Sequence, residues 1–207
     1  MLKLSLNQSV ELFRNEFRRW LKDNLPHQAK DPGLAAFIQA GREWQQTLAK
    51  GNWVGVHWPK EFGGRGLSLV EEAVIQEELV LVKAPQLLGL FGLTMVGPVL
   101  IKHGTEEQKK RFLSKILSAQ EIWCQGFSEP GAGSDLAAIK TKAEKVKDGF
   151  EITGQKVWTS FAHIADWCFV LCRTNESGKK HEGLTYLLVK MDTPGITVRP
   201  LKQISGD

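Results

Sequence analysis

Cysteine is scarce in this sequence. The 207 residues carry three, Cys124, Cys168 and Cys172, an odd number with no C-x-x-C pair. Neither a disulfide framework nor a zinc site is available to hold the fold, and the usage fits a reducing cytoplasm. Long apolar runs are lacking too. The longest, residues 87–101, is interrupted by Gly89, Gly92, Gly97 and Pro98 and is short for a membrane span, so a buried core helix explains it better. The N-terminal MLKLSLNQSVELFRNEF turns amphipathic and charged at once, unlike a secretory signal. Charge of one sign is nowhere concentrated. The 27 Lys and Arg against 23 Asp and Glu leave a net +4 spread along the chain, which gives no basis for a nucleic-acid or membrane partner. No internal repeat or low-complexity tract is present.

What is there divides in two. Up to about residue 120 the apolar positions keep helical spacing. Val10, Phe13, Phe17 and Leu21 form one stripe, closed by Pro26; Phe37, Ala40, Trp44 and Leu48 form another before Gly51. Ser68 with Glu71, and Thr105 with Gln108, are capping boxes in which each side chain satisfies an amide left open at a helix start, and a helix is predicted after each. Residues 53–66 are irregular and rich in aromatics and glycine. Their tryptophans need packing partners, so this segment reads as an ordered loop rather than a linker.

From about residue 121 the period is two. Residues 122–128, 141–147, 150–157, 167–173, 184–190 and 196–201 are predicted strands, with Asp148-Gly149 as a tight-hairpin signal between the second and third. Cys168 and Cys172 share a face of their strand as buried, unreactive thiols. Helices followed by strands, without βαβ alternation, predict an α+β chain and not a doubly wound nucleotide fold. The expected organisation is an N-terminal α-helical domain, residues 1–120, followed by a mostly antiparallel β-domain, residues 121–207.

Two segments carry candidate chemistry. In the first, Gln125-Gly126-Phe127-Ser128-Glu129-Pro130-Gly131-Ala132-Gly133-Ser134-Asp135, the proline and glycines force a turn where backbone amides come close to a ligand. The Ser128 and Ser134 hydroxyls stand on either side of it. Leu136 occupies the place of the third glycine of a dinucleotide fingerprint, which excludes that motif. Taken alone, a plain turn between strands explains the segment better than a ligand loop does. The second segment, Gly154-Gln155-Lys156-Val157-Trp158-Thr159-Ser160, delivers an aromatic plane and hydroxyls at a strand end. That suits a flat heteroaromatic cofactor, while a tryptophan filling the sheet core is the plainer reading. Glu129 reads as exposed-turn material that positions the loop rather than acting as a base. His57, His103 and His163 have no carboxylate or metal partner at telling spacing. Arg65 faces solvent or an anion.

In this order the two segments resemble the paired flavin segments of the acyl-CoA dehydrogenase family: a strand ending in Ser/Thr-Glu-Pro-x-Ala-Gly-Ser-Asp and a later Lys-x-Trp-x-Ser/Thr. Residues 53–67 are similar to the family's Trp-x-x-Pro-x-x-Tyr/Phe-Gly-Gly-x-Gly loop, and Gly104-Thr105-Glu106-Glu107-Gln108-Lys109 to one of its helix starts. Ile152-Thr153-Gly154-Gln155-Lys156 and Ala165-Asp166-Trp167 fit as well, so the resemblance covers nearly the whole chain. It implies FAD lying against the β-domain, with an acyl-CoA thioester threading between flavin and helices. It implies that Gln125, Phe127 and Ser128 contact the flavin ring. Ser134 matches a position shared by the cofactor and the coenzyme A moiety of the substrate. Trp158, Thr159 and Ser160 match the segment covering the other flavin face, with the Ser160 hydroxyl near N5. The implied reaction removes the α proton and moves a hydride from the β carbon to N5, with oriented donors stabilising the charge that develops. An electron-acceptor flavoprotein is the implied redox partner.

Family members continue into a C-terminal helical bundle that supplies the catalytic carboxylate, part of the FAD site across a subunit interface, and the tetramer core. Gln203-Ile204-Ser205-Gly206-Asp207 looks like the family's Gly-Asp site within the β-domain. The expectation is therefore the front part of such an enzyme, with no catalytic base of its own and a homo- or hetero-oligomer completing it. Without the base, a proton-transfer contribution on the order of 10²–10⁴-fold is lost. The competing reading is a non-catalytic binding or assembly module that retains the fold. Acyl-CoA oxidases and flavin monooxygenases of the same fold are further alternatives.

Overall fold

The computed structural model describes residues 7–27, 33–175 and 178–201. The chain divides into two compact units, Met1–Gln120 and Glu121–Asp207. The segment matched to the family's Gly-Asp site, residues 203–207, lies outside the described residues.

In the helical unit, Asn7 opens α1 (Gln8–Asn24) by accepting the Val10 amide on its side-chain oxygen at 3.0 Å, which satisfies one first-turn donor. All four stripe positions of α1, Val10, Phe13, Phe17 and Leu21, are buried. In α2 (Leu34–Lys50), Trp44 and Leu48 are buried, whereas Phe37 and Ala40 are only half-buried. The polar Gln45 takes a core position instead. Its amide donates to the Ile116 and Leu117 carbonyls at 3.0 and 3.1 Å and accepts the Gly89 amide at 2.9 Å, so a buried side chain closes three backbone groups. Both capping boxes form, at the starts of α3 (Leu69–Leu81) and α5 (Glu106–Leu117). Arg14 and Arg18 of α1 both reach the buried Glu78 of α3, each at 2.7 Å.

The apolar run is not one core helix. Residues Gly92–Val96 form a π-helical turn that leads into α4 (Gly97–His103), with Leu88, Leu93, Val96 and Leu100 buried but Leu90 and Val99 exposed. Gly97 is required by packing: a Cβ there would stand 2.0 Å from the Trp58 ring. The aromatic loop is ordered on α1. Trp53 lies 4.8 Å from Phe17 between ring centroids, and the Arg65 guanidinium stacks 4.5 Å above Trp53 while pairing with Glu16 at 3.1 Å. His57 does have a carboxylate partner, Glu72 Oε2 at 3.0 Å, brought in by the fold of the loop rather than by sequence spacing.

The second unit is a mixed, mostly antiparallel sheet of β1 (Trp123–Gly126), β2 (Lys142–Val146), β3 (Gly149–Thr153), β4 (Trp167–Arg173) and β5 (Leu184–Lys190). β5 pairs antiparallel along the full length of β4, from Trp167↔Lys190 to Arg173↔Leu184, and so takes one edge. β1 pairs parallel with β4 from Trp123↔Trp167 to Gly126↔Val170, and β2 joins at Lys142↔Arg173, which together take the other edge. With both edges paired, β4 is the axis of the sheet.

Three strand expectations are corrected. Residues 196–201 form no strand; Ile196, Val198 and Leu201 are exposed, and an alternating pattern makes a strand only where a neighbouring edge accepts it. The strand expected over 150–157 stops at Thr153. Gly154 lies so close to Thr141 that a Cβ would meet its Oγ1 at 2.3 Å, and the chain leaves the ladder there. The hairpin turn is Lys147-Asp148, since Val146 pairs with Gly149. The glycine, at φ 152°, opens the returning strand instead of lying in the turn. Among the described residues no helix is long and apolar enough to cross a membrane.

Candidate functional site

The register sorts the candidate residues onto sheet faces. Gln125 lies opposite Phe169, which lies opposite Leu188, so these three share one face. The Phe127 ring meets the same face, edge-on to Phe169 at 5.5 Å and to Tyr186 at 6.3 Å. Cys124, Cys168 and Cys172 fall on the opposite face, packed with Val170, Leu187 and Val189. Contact with Cys124 and burial push the Cys168 thiol up, and burial pushes Cys172 up to about 11. Protonated thiols of this kind are packing groups, not nucleophiles.

After Phe127 the chain leaves the sheet. Glu129 and Ala132 exchange amide-to-carbonyl bonds at 2.9 and 3.0 Å, closing a tight turn over Pro130 and Gly131. The Glu129 side chain is buried, not exposed as its neighbours imply. Its carboxylate accepts the Lys140 amide at 2.7 Å, the Thr141 amide at 2.9 Å and the Lys156 ammonium at 2.9 Å. Burial alone would raise this carboxyl; the Thr141, Lys140 and Lys156 donors outweigh it and hold it down at about 2. A carboxylate so saturated is a structural anchor and cannot serve as a base near neutral pH.

Lys156 joins the two segments. Its ammonium also donates to the Phe127 carbonyl at 3.0 Å, and the next amide, Val157, donates to the Ser128 carbonyl at 2.9 Å. The strand end that carries Phe127 and Ser128 is thereby fastened to the start of the Trp158–Thr159–Ser160 turn. Trp158 and Phe161 both adopt left-handed backbone, at φ 62° and 65°, unusual for bulky residues and typical of strain held by the surroundings. The Trp158 side chain does not fill the core; it is 65% exposed. Ser128 and Thr159 are half-buried and Ser160 is exposed. Ser134 lies further along the first loop, exposed, with no hydrogen bond to either segment among the described residues. A Cβ at Gly131 or Gly133 would meet nothing within 4 Å, so both glycines border open space.

Three residues that position this site carry no signal in local sequence pattern: Glu129 as a buried anchor, Lys156 as the clip, and Arg173, whose guanidinium donates to the Ala137 carbonyl at 2.8 Å. Among the described residues every carboxyl group with a resolved shift, Glu71, Glu78, Glu107 and Glu129, is lowered, so none of them is tuned as a general base.

A helical unit followed by a mixed sheet, with a Ser-Glu-Pro-Gly turn fastened to an exposed tryptophan turn, defines a class that comparison with known proteins names. Residues 7–120 match the family description "Acyl-CoA dehydrogenase, N-terminal domain" and residues 124–206 match "Acyl-CoA dehydrogenase, middle domain". The chain belongs to the acyl-CoA dehydrogenase family. Among curated relatives, acyl-CoA dehydrogenase IpdE1 of Mycobacterium tuberculosis is 47% identical over 96% of this chain and 54% of its own length. Its Mycolicibacterium smegmatis counterpart is 46% identical over 96% of this chain and 55% of its own. Among solved structures, the ChsE4-ChsE5 complex from Mycobacterium tuberculosis superposes with a TM-score of 0.83 at 30% identity, covering 99% of this chain and 53% of that one. The Tcur3481-Tcur3483 steroid ACAD gives 0.81 at 34% identity, covering 99% and 53%. The chain spans about half the length of the curated relatives it matches.

Proposed function

We propose that this chain supplies the flavin-facing part of an FAD-dependent acyl-CoA dehydrogenase, with 1–120 as a helical domain and 121–207 as the cofactor-bearing β-domain. The observation that carries the reading is the Lys156 clip, with the Val157–Ser128 hydrogen bond beside it, which joins the two segments that resemble the family's flavin motifs. The residues suit a flavin. The exposed indole of Trp158 offers an aromatic plane. The Ser128, Thr159 and Ser160 hydroxyls make no side-chain hydrogen bond among the described residues, so they are free to donate. Gln125 and Phe127 lie on the sheet face next to Ser128, and Ser134 is assigned to the coenzyme A moiety of an acyl-CoA substrate.

Bound there, FAD would accept the hydride from the β carbon of the thioester. The chain's own contribution is binding and orientation, with hydroxyl and amide donors fixed where negative charge develops. The base that takes the α proton is assigned to the part of the relatives' length that this chain does not span. Likeness to the two-component ChsE4-ChsE5 and Tcur3481-Tcur3483 assemblies supports a hetero-oligomer in which another chain completes the site. An electron-acceptor flavoprotein would reoxidise it.

The test is the visible flavin spectrum of the purified protein, alone and with any co-purifying chain. Flavin absorbance lost in Trp158→Ala and Ser128→Ala supports the reading. A protein that stays colourless after FAD is added, both alone and in its assembled form, overturns it in favour of a non-catalytic module. Acceptor specificity, oxygen against an artificial electron acceptor, then separates dehydrogenase from oxidase or monooxygenase.

A further inference from the structure

The geometry points to Arg173 as a positioning residue for the coenzyme A end of the substrate, acting through the loop that carries Ser134. The inference rests on the reading of Ser134 as a ligand contact.

Arg173 ends β4, the strand with both edges paired, so its side chain springs from the most constrained part of the sheet. Its guanidinium gathers four carbonyls from two loops. Nη2 donates to Ala137 at 2.8 Å and to Lys180 at 3.3 Å, Nη1 to Glu182 at 3.1 Å, and Nε to Ile139 at 3.4 Å. Residues Leu136–Ala138 form a 3-10 turn begun at Asp135, whose carbonyl accepts the Ala138 amide at 3.0 Å. The last carbonyls of such a turn have no partner within it, and a planar fork of donors is suited to take several at once.

On the other side of the fork, Lys180 forms an ion pair with Asp135, the neighbour of Ser134. Both ends of that pair are exposed, so it holds little by itself. Ser134 is exposed, and the glycines before it border open space, so the loop takes its place from the buried Ala137 and Ile139 and from the fork. A misplacement of about 1 Å at a contact residue is enough to cost binding and rate heavily. Lysine at 173 would keep the charge but not the fork.

The experiment uses the flavin-loaded enzyme containing this chain, as wild type, Ser134→Ala, Arg173→Met and Arg173→Lys. Two quantities are read: the Kd of free coenzyme A by calorimetry, and the ratio of kcat/KM for an acyl-CoA to that for the same acyl group on N-acetylcysteamine, which lacks the nucleotide and most of the arm. Ser134→Ala and Arg173→Met are expected to weaken coenzyme A about tenfold and lower the ratio about tenfold, with the short thioester changed by less than about twofold. Arg173→Lys falls between. If Arg173→Met does not fold, Arg173→Lys carries the test, and an unchanged ratio and Kd overturn the proposal. Equal losses on both thioesters mean a merely structural role and overturn it too. Ser134→Ala without effect removes the underlying reading. Ser134→Ala with effect and Arg173 variants without it removes this proposal alone.

Discussion

Glu129→Gln tests whether the buried anchor holds the β-unit's turn in place. The carboxyl sits at about 2 against an ordinary 4.5. That displacement corresponds to roughly 3 kcal/mol of native-state preference for the charged form. A second route gives a similar figure. Glutamine keeps one acceptor oxygen, turns its NH2 toward either the Lys140 or the Thr141 amide, which bond to different oxygens of the carboxylate, and leaves the nearly buried Lys156 ammonium without its carboxylate. Breaking a buried pair from one side costs about 3–5 kcal/mol. The expected loss at neutral pH is therefore roughly 3–5 kcal/mol. The pH dependence has a fixed sign. A depressed folded-state pKa gives a contribution that is full above the unfolded value and lost as pH falls through the folded one. The wild-type advantage over Glu129→Gln should thus be flat from neutral pH to about 5, then shrink by up to about 1.4 kcal/mol per pH unit between roughly 4.5 and 2. Urea unfolding at a series of pH values reads this directly, and amide exchange at Lys140 and Thr141 gives a local check. A destabilisation under about 1 kcal/mol at pH 7, or a difference as large at pH 3 as at pH 7, would refute the reasoning.

Two further changes separate packing from binding. Gln45→Leu fits the apolar surroundings but strands the Gly89 amide and the Leu117 carbonyl, while the Ile116 carbonyl keeps the Ala119 amide at 3.3 Å, so it should lower the stability of the helical unit by about 2 kcal/mol or more in urea unfolding; a loss under about 1 kcal/mol would mean those groups find other partners. Trp158→Gly removes an exposed side chain and relieves left-handed strain, while glycine loses more chain entropy on folding. Stability should change by less than about 1 kcal/mol while FAD affinity, measured by flavin fluorescence, falls at least about tenfold. A variant that unfolds, or one that binds FAD as wild type does, contradicts the assignment of Trp158 to the cofactor face.

The elements legible in the sequence are those whose cause is local. The α1 stripe repeats at helical spacing and all four of its residues are buried. The Ser68–Glu71 and Thr105–Gln108 boxes state their helix starts within four-residue windows. β4 and β5 run over the predicted residues because each finds a full-length partner. Where the cause is distant, the reading fails. Residues 196–201 alternate like a strand yet join no strand among the described residues. Gln45 is passed over because a polar residue beside an apolar stripe looks solvated until the carbonyls at the end of α5 come to meet it.

The candidate site divides along the same line. Its chemistry-bearing types, the hydroxyls of Ser128 and Ser160 and the indole of Trp158, stand in an order that resembles the family's flavin segments, and it is that resemblance that points to a flat cofactor. Their assembly is not local. Glu129 next to Pro130-Gly131 has the composition of a solvated turn, and its charge is buried only because the Lys140 and Thr141 amides and the Lys156 ammonium, brought alongside by the chain's exit from β3, converge on it. The exit is itself forced by contact with Thr141, where Gly154 leaves no room for a side chain. Thr141 also lends its amide to Glu129. One close approach therefore ends β3, directs Lys156 toward Phe127 and Glu129, and fastens Ser128 to the Trp158 turn. An alanine at 154 would strike at all of these together, and its effect on flavin binding should exceed its effect on the rest of the sheet.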